Sequence, residues 1–132
     1  MTPDDRAAIT DLISMHGHLC DDGELDRFHE VFTDDIVYDV SDMGFGQLHG
    51  LVALRSAAEI LGDDNPVGHH ITNVVLADVA EDEVHARSKA IGIQADGTAA
   101  SAVYQDVVKR GPEGWRIAHR TIQARRKPLG AR

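Results

Sequence analysis

"VGHHITNVVLADVAEDEVHARSKAIGIQ", residues 67–94, is the stretch that decides the fold. Two runs rich in β-branched or alternating residues flank the turn-like "AED" at 80–82. On the second run His85, Arg87 and Lys89 alternate with Ala86, Ser88, Ala90, Gly92 and Gln94. That two-residue period is a strand with a charged face and a small-residue face. Two more such runs follow, divided by "ADG" and "RGPEG". The spacing predicts four antiparallel strands over 69–79, 83–95, 98–109 and 114–125.

Upstream the period changes. Thr2 can cap a helix, Pro3 suits its first position, and Asp4 and Asp5 suit its positive end. Ile9, Leu12, Ile13, His16, Leu19 and Cys20 then form a helical stripe that "DDG" at 21–23 ends. A short second helix holds Leu25, Phe28, Val31 and Phe32 on one side, and "TDD" at 33–35 breaks it. "IVYDV" at 36–40 reads as a first strand, "SDMGFGQLHG" as a glycine-punctuated loop, and 51–61 as a third helix stopped by "GDDNP". Helices first and strands after make an α+β domain, with three N-terminal helices covering one face of a curved sheet. The small residues on the inner face leave room there. A cavity and a core filled by helix side chains both fit that pattern. Trp115 is expected to anchor the packing beneath the sheet, and His119 and Arg120 to lie at the surface.

The chain has 132 residues, which suits one domain over 1–126 with a short basic tail at 127–132. A formal net charge of −9 and 5% aromatic residues argue against nucleic-acid binding, which needs a basic footprint and stacking platforms. Cys20 is the only cysteine, so no internal disulfide forms and a reducing, cytoplasmic setting is expected. "MTPDDRAAIT" lacks the pattern of a signal peptide, and no apolar run reaches the length of a membrane span.

Among the eight histidines no pair has the i, i+4 helical spacing of a metal site, and no zinc-finger pattern occurs, so neither metal nor cofactor is expected. No G-x-S-x-G elbow and no phosphate-cradling loop is present. Acid–base chemistry remains, and it needs a group that titrates near neutrality plus a partner that orients it. Alternation puts His69 with Ile71, Asn73 and Val75 on one face of the strand, and His70 with Thr72, Val74 and Leu76 on the other. It does not say which face is inward. Asp21, Asp22, Asp39 and Asp106 are the candidate carboxylates. A strict helical wheel sets Asp21 away from the apolar stripe, beside Thr10, Ser14 and Gly17.

"LCDDGELDRFHEVFTDDIVYDV", "GQLHG", "GHHITNVVL" and "VYQDVVKRGPEGWRIAHRTI", taken in order, resemble the SnoaL-like branch of the nuclear transport factor 2-like superfamily. The resemblance implies a cone, with a strongly bent mixed sheet covered by three helices around an internal pocket. It is similar in site pattern to scytalone dehydratase, which implies a catalytic pair at His69 and Asp21 and so turns His69 inward. The family's water-holding tyrosine positions fall on Cys20 and Val40, so scytalone itself is not the expected substrate. Tyr38, Asn73, Gln94, Tyr104 and, at the rim, His49 are the expected substrate-binding groups. An Asp-Arg-Asp arrangement of the epoxide hydrolase kind finds Asp106, with Arg87 on the outer face. The implied activity is a cofactor-free lyase or isomerase acting on an apolar cyclic or polyketide-like carbonyl compound. A non-catalytic binding or partner-chain module, like a dioxygenase β-subunit, is the alternative, and a homodimer through the open sheet face is the implied assembly.

Overall fold

The computed structural model describes residues 1–131. Helix α1 (Pro3–Asp21) begins at a capping box: Thr2 Oγ1 accepts from the Asp5 amide, and Asp5 accepts from the Thr2 amide. Its stripe of Ile9, Leu12, Ile13, His16 and Leu19 is buried. The chain then turns through Gly23, whose φ of +69° lies in the left-handed region. The expected second helix is one 3₁₀ stretch, Leu25–Glu30, that buries Phe28. The expected third helix is α2 (Leu51–Leu61).

Six strands form one sheet: β1 (Phe32–Asp39), β2 (Gln47–His49), β3 (Gly68–Ala80), β4 (Glu83–Ile93), β5 (Ala99–Gly111) and β6 (Gly114–Arg125). Their order is β2-β1-β6-β5-β4-β3. Strands β3 to β6 form an antiparallel meander, while β1 runs parallel to β6, so the sheet is mixed. The α+β architecture of a bent mixed sheet under helices therefore stands.

Two boundaries differ from the sequence reading. "TDD" does not interrupt the chain but lies inside β1, which starts at Phe32 and bulges against β6 before regaining register at Val37. The loop at 41–50 contains β2, a short edge strand pairing with Val37–Asp39.

The inner face carries Val84, Ala86, Ser88, Ala90, Tyr104, Asp106, Val108, Trp115, Ile117 and Ile122, all buried. His85, Arg87 and Lys89 face outward, as their alternation predicts. Trp115 is buried at the other end of α1, where its Nε1 donates to Asp5 Oδ1 at 3.1 Å. Two bulges break the two-residue period. On β3 one extra residue lies between Thr72 and Val75, with Asn73 at φ +57°. On β6 an extra residue precedes His119. Beyond each bulge the faces exchange: Val74 and Leu76 turn toward the core, and Arg120 and Ile122 turn in where plain alternation puts them out.

Candidate active site

Three hydrogen bonds converge on one carboxylate. Asp21 is the last residue of α1, and His69 is the second residue of β3. The His69 ring donates through Nδ1 to Asp21 Oδ1 at 2.7 Å. The His69 amide donates to Oδ1 and Oδ2 at 3.1 and 3.0 Å. β3 is an edge strand, and this amide bonds to Asp21 instead of to β4. Asp21 thus satisfies a donor that the sheet leaves open. The side of α1 that the helical wheel calls polar is the side on which β3 packs, with Gly17 at the contact. That is how Asp21 comes inward without any distortion of the helix. The pair is shielded from solvent but not sealed: the ring is 18% exposed and the carboxylate 27%. With Nδ1 donating to Asp21, the Nε2 lone pair remains, and no described residue bonds to it.

Beneath the pair lies a buried polar cluster. The His16 ring is centred 6.3 Å from that of His69. Arg120 Nη1 donates to His16 Nδ1 at 2.8 Å, so the His16 proton sits on Nε2, 3.3 Å from Cys20 Sγ. Arg120 Nε and Nη2 also make a bidentate pair with Asp106 at 2.7 and 2.8 Å. Arg120 is wholly buried, which corrects its expected place at the surface; the bulge on β6 turns it inward. Its guanidinium also lies 4.3 Å over the Tyr104 ring.

Electrostatics follow from that burial. Burial, then Arg120, then His69 hold the His16 imidazole well below its ordinary range, so it is neutral. Burial pulls the Arg120 guanidinium down, but the facing Asp106 more than offsets this and its pKa ends above the usual arginine value. Burial, with Asp21 adding, pushes the Cys20 thiol up to about 12, which removes it as a nucleophile. Burial raises both tyrosines as well, Tyr104 to about 12.

The other expected site residues divide. Tyr38 and Tyr104 are buried beside His16, with ring centroids 6.1 and 6.5 Å from it. Neither hydroxyl has a hydrogen-bond partner among the described residues. Ser88 Oγ, across from Tyr104 on β4, is also buried without one. Gln94 is half-buried at the β4–β5 turn, which its backbone closes with Gly97 and Thr98. Asn73 and His49 are not brought in. Asn73 is the left-handed residue of the β3 bulge and is exposed. His49 is exposed and pairs with Val37, while its neighbour Leu48 takes the inner face beside Tyr38. His16 and Arg120 are the site residues that sequence reasoning missed as such. The apolar stripe signalled His16, and nothing in the alternation of β6 signals Arg120.

No group of three or more His, Cys, Asp or Glu side chains is placed to hold a metal among the described residues. No helix among them is long and apolar enough to cross a membrane. A groove of about 440 Å³ lies on the outer face of the sheet, lined by Val75, His85, Arg87, Gln105, His119 and Thr121. It is on the opposite face from the His16–Arg120 cluster.

Residues 2–121 match the family model described as SnoaL-like domain. The chain belongs to the SnoaL-like family. Solved structures agree over nearly the full length of this SnoaL-like chain. A candidate aromatic ring hydroxylase from Novosphingobium aromaticivorans is 26% identical, with 96% of this chain and 93% of that one covered and a TM-score of 0.81. LinA is 25% identical, covering 96% and 90%, with a TM-score of 0.78. A candidate scytalone dehydratase from Novosphingobium aromaticivorans, 19% identical over 96% and 94% with a TM-score of 0.76, shares the fold. No curated protein sequence matches.

Proposed function

We propose that this SnoaL-like chain is a cofactor-free lyase or isomerase in which His69, oriented by Asp21, moves a proton on a largely apolar carbonyl compound. The observation that carries this reading is the 2.7 Å bond from His69 Nδ1 to Asp21, which leaves Nε2 as the basic nitrogen. Similarity at 26% identity to a protein named as a candidate aromatic ring hydroxylase supports an enzyme.

In this reading Nε2 takes a proton from a carbon next to a carbonyl, and Asp21 stabilises the imidazolium that forms. The electron pair of the broken C–H bond enters the new C=C bond. In a dehydration the C–O bond on the next carbon breaks, and the imidazolium returns its proton to the departing hydroxide as water. In an isomerisation the proton returns to a different carbon. Tyr38 and Tyr104 carry hydroxyls with no protein partner, suited to a carbonyl or leaving oxygen, and Phe28 and Phe32 line the apolar part of the cluster. The buried Arg120 adds positive potential beneath a developing enolate.

The test is deuterium exchange. Bicyclic ketones are incubated with the protein in D₂O, and label at the carbon beside the carbonyl is read by NMR. The parent should exchange it, and His69→Ala and Asp21→Asn, folded by circular dichroism, should be slower by about 10²-fold or more. Exchange unchanged in His69→Ala, or none by the parent across the panel, refutes the reading. A second reading, a non-catalytic module, draws on the outer groove, which offers a second copy or a partner chain an open surface. It requires ligand or partner binding that survives both substitutions, and a monomer in sedimentation counts against its partner-chain form.

A further inference from the structure

Gly17 stands in the interior of α1, where glycine is a poor helix former, so its presence calls for a reason. The reason is its contact. A Cβ at position 17 would lie 2.7 Å from the backbone oxygen of His69 and 3.5 Å from His69 Cβ. A backbone oxygen in a paired strand cannot rotate aside as a flexible side chain can. Gly17 is buried, and Asp21 follows it by four residues, on the same side of the helix one turn on. The contact at Gly17 therefore sets the gap that the Asp21 carboxylate must bridge.

We propose that Gly17 is a positioning residue: its missing side chain lets the last turn of α1 approach β3 closely enough for Asp21 to hold both the amide and Nδ1 of His69. Its importance for turnover rests on the reading of His69 and Asp21 as the working pair, but the geometric claim does not. Bringing a new Cβ from 2.7 Å to ordinary contact at about 3.4 Å requires roughly 0.7 Å of separation. Applied to the 2.7 Å bond, that gives about 3.4 Å, beyond the hydrogen-bonding range of about 3.2 Å. Alanine at this position favours the helix itself, so the loss falls on the contact rather than on α1.

The experiment needs no substrate. Nitrogen-15 NMR of the whole chain records two signals: the His69 Nδ1–H resonance and the exchange rate of the His69 amide. Gly17→Ala should keep the folded spectrum, lose the Nδ1–H resonance and speed exchange of that amide about tenfold or more. Asp21→Asn provides the reference for a lost carboxylate. Gly17→Ala combined with Asp21→Glu, whose arm is one methylene longer, should restore both signals. A folded Gly17→Ala chain with both signals intact overturns the proposal, as does failure of the longer arm to restore them. Should Gly17→Ala not fold, Asp21→Glu in the parent decides. With the close approach in place its longer arm should overshoot and weaken both signals, and unchanged signals there overturn the proposal too. Deuterium exchange into ketones then tests catalysis separately: a parent chain that shows both NMR signals, loses them in Gly17→Ala, and yet exchanges no deuterium would sink the enzyme reading and leave the role of Gly17 standing.

Discussion

Asp106 is the group whose removal the structure prices most clearly. It is the bidentate partner of a fully buried guanidinium. Asp106→Leu deletes that partner and leaves Arg120 in place. Arginine cannot discharge itself by losing a proton, so its charge stays buried with only His16 as an acceptor. Breaking one side of a buried ion pair costs about 3–5 kcal/mol. A domain of this size has about 5–15 kcal/mol in all. With a urea slope of about 1–3 kcal/mol per molar, the midpoint should fall by about 2 M. Arg120→Met should cost less, because a stranded carboxyl can take up a proton. The double variant removes both charges. Replacing a buried pair by apolar groups is neutral to stabilising by about 1–4 kcal/mol. His16 Nδ1 then loses its donor, at about 1–3 kcal/mol. These nearly cancel, so the double variant should lie close to the parent. Urea unfolding of the four chains closes the cycle. An Asp106→Leu chain within about 1 kcal/mol of the parent would refute this reasoning, and so would a double variant as unstable as the two singles summed.

Acid should loosen the anchor at the far end of α1. The Thr2 amide, with Trp115 Nε1 next, holds the Asp5 carboxyl down from 3.8 to about 2. A carboxyl depressed on folding contributes stability that is complete above its unfolded value and is lost as pH falls through its folded one. Thermal melts should therefore show a loss between about pH 4 and pH 2 that Asp5→Asn lacks, with the variant already less stable at neutral pH. On β3, Asn73→Val forces a β-branched residue into the left-handed region at φ +57° and should cost about 1–2 kcal/mol in urea unfolding, whereas Asn73→Gly should be tolerated.

The strands of the meander were legible because their faces differ chemically: His85, Arg87 and Lys89 against Ala86, Ser88 and Ala90 leave only one way to pack. α1 was legible from its cap and stripe. What the alternation could not carry was the parity beyond each bulge. One extra residue near Asn73 reverses the faces of β3, so Val75 is exposed and Val74 packs inward. One extra residue before His119 does the same on β6 and buries a guanidinium that a two-residue period leaves in water. A bulge has no fixed residue signature, and neither Asn73 nor Ala118 announces one. β2 escaped notice because three residues are too few to show a period. The family resemblance named Asp21 and His69, while the helical wheel taken alone pointed Asp21 away. The wheel was correct about the side of the helix; it could not show that β3 packs on that side.

The inner face of the sheet is an expensive place for polar atoms, and most of those it holds are committed to one another. Asp106 and His16 occupy three of the Arg120 nitrogens, and Cys20 takes the remaining edge of His16. Asp21 is committed to His69 through both oxygens. Beside the His69–Asp21 pair and the His16–Arg120 cluster, the uncommitted groups are Nε2 of His69, the hydroxyls of Tyr38 and Tyr104, and Ser88 Oγ. An unmade hydrogen bond at a buried hydroxyl costs about 1–3 kcal/mol, so at Ser88, whose oxygen is fully buried, a chain packed for stability alone gains by placing alanine. The ketone proposed above needs one or two oxygen atoms to meet the hydroxyls of Tyr38 and Tyr104, and a C–H bond to meet Nε2 of His69. The family resemblance suggested a cyclic ketone or enol, and these uncommitted groups are the reason to test that substrate class first by deuterium exchange.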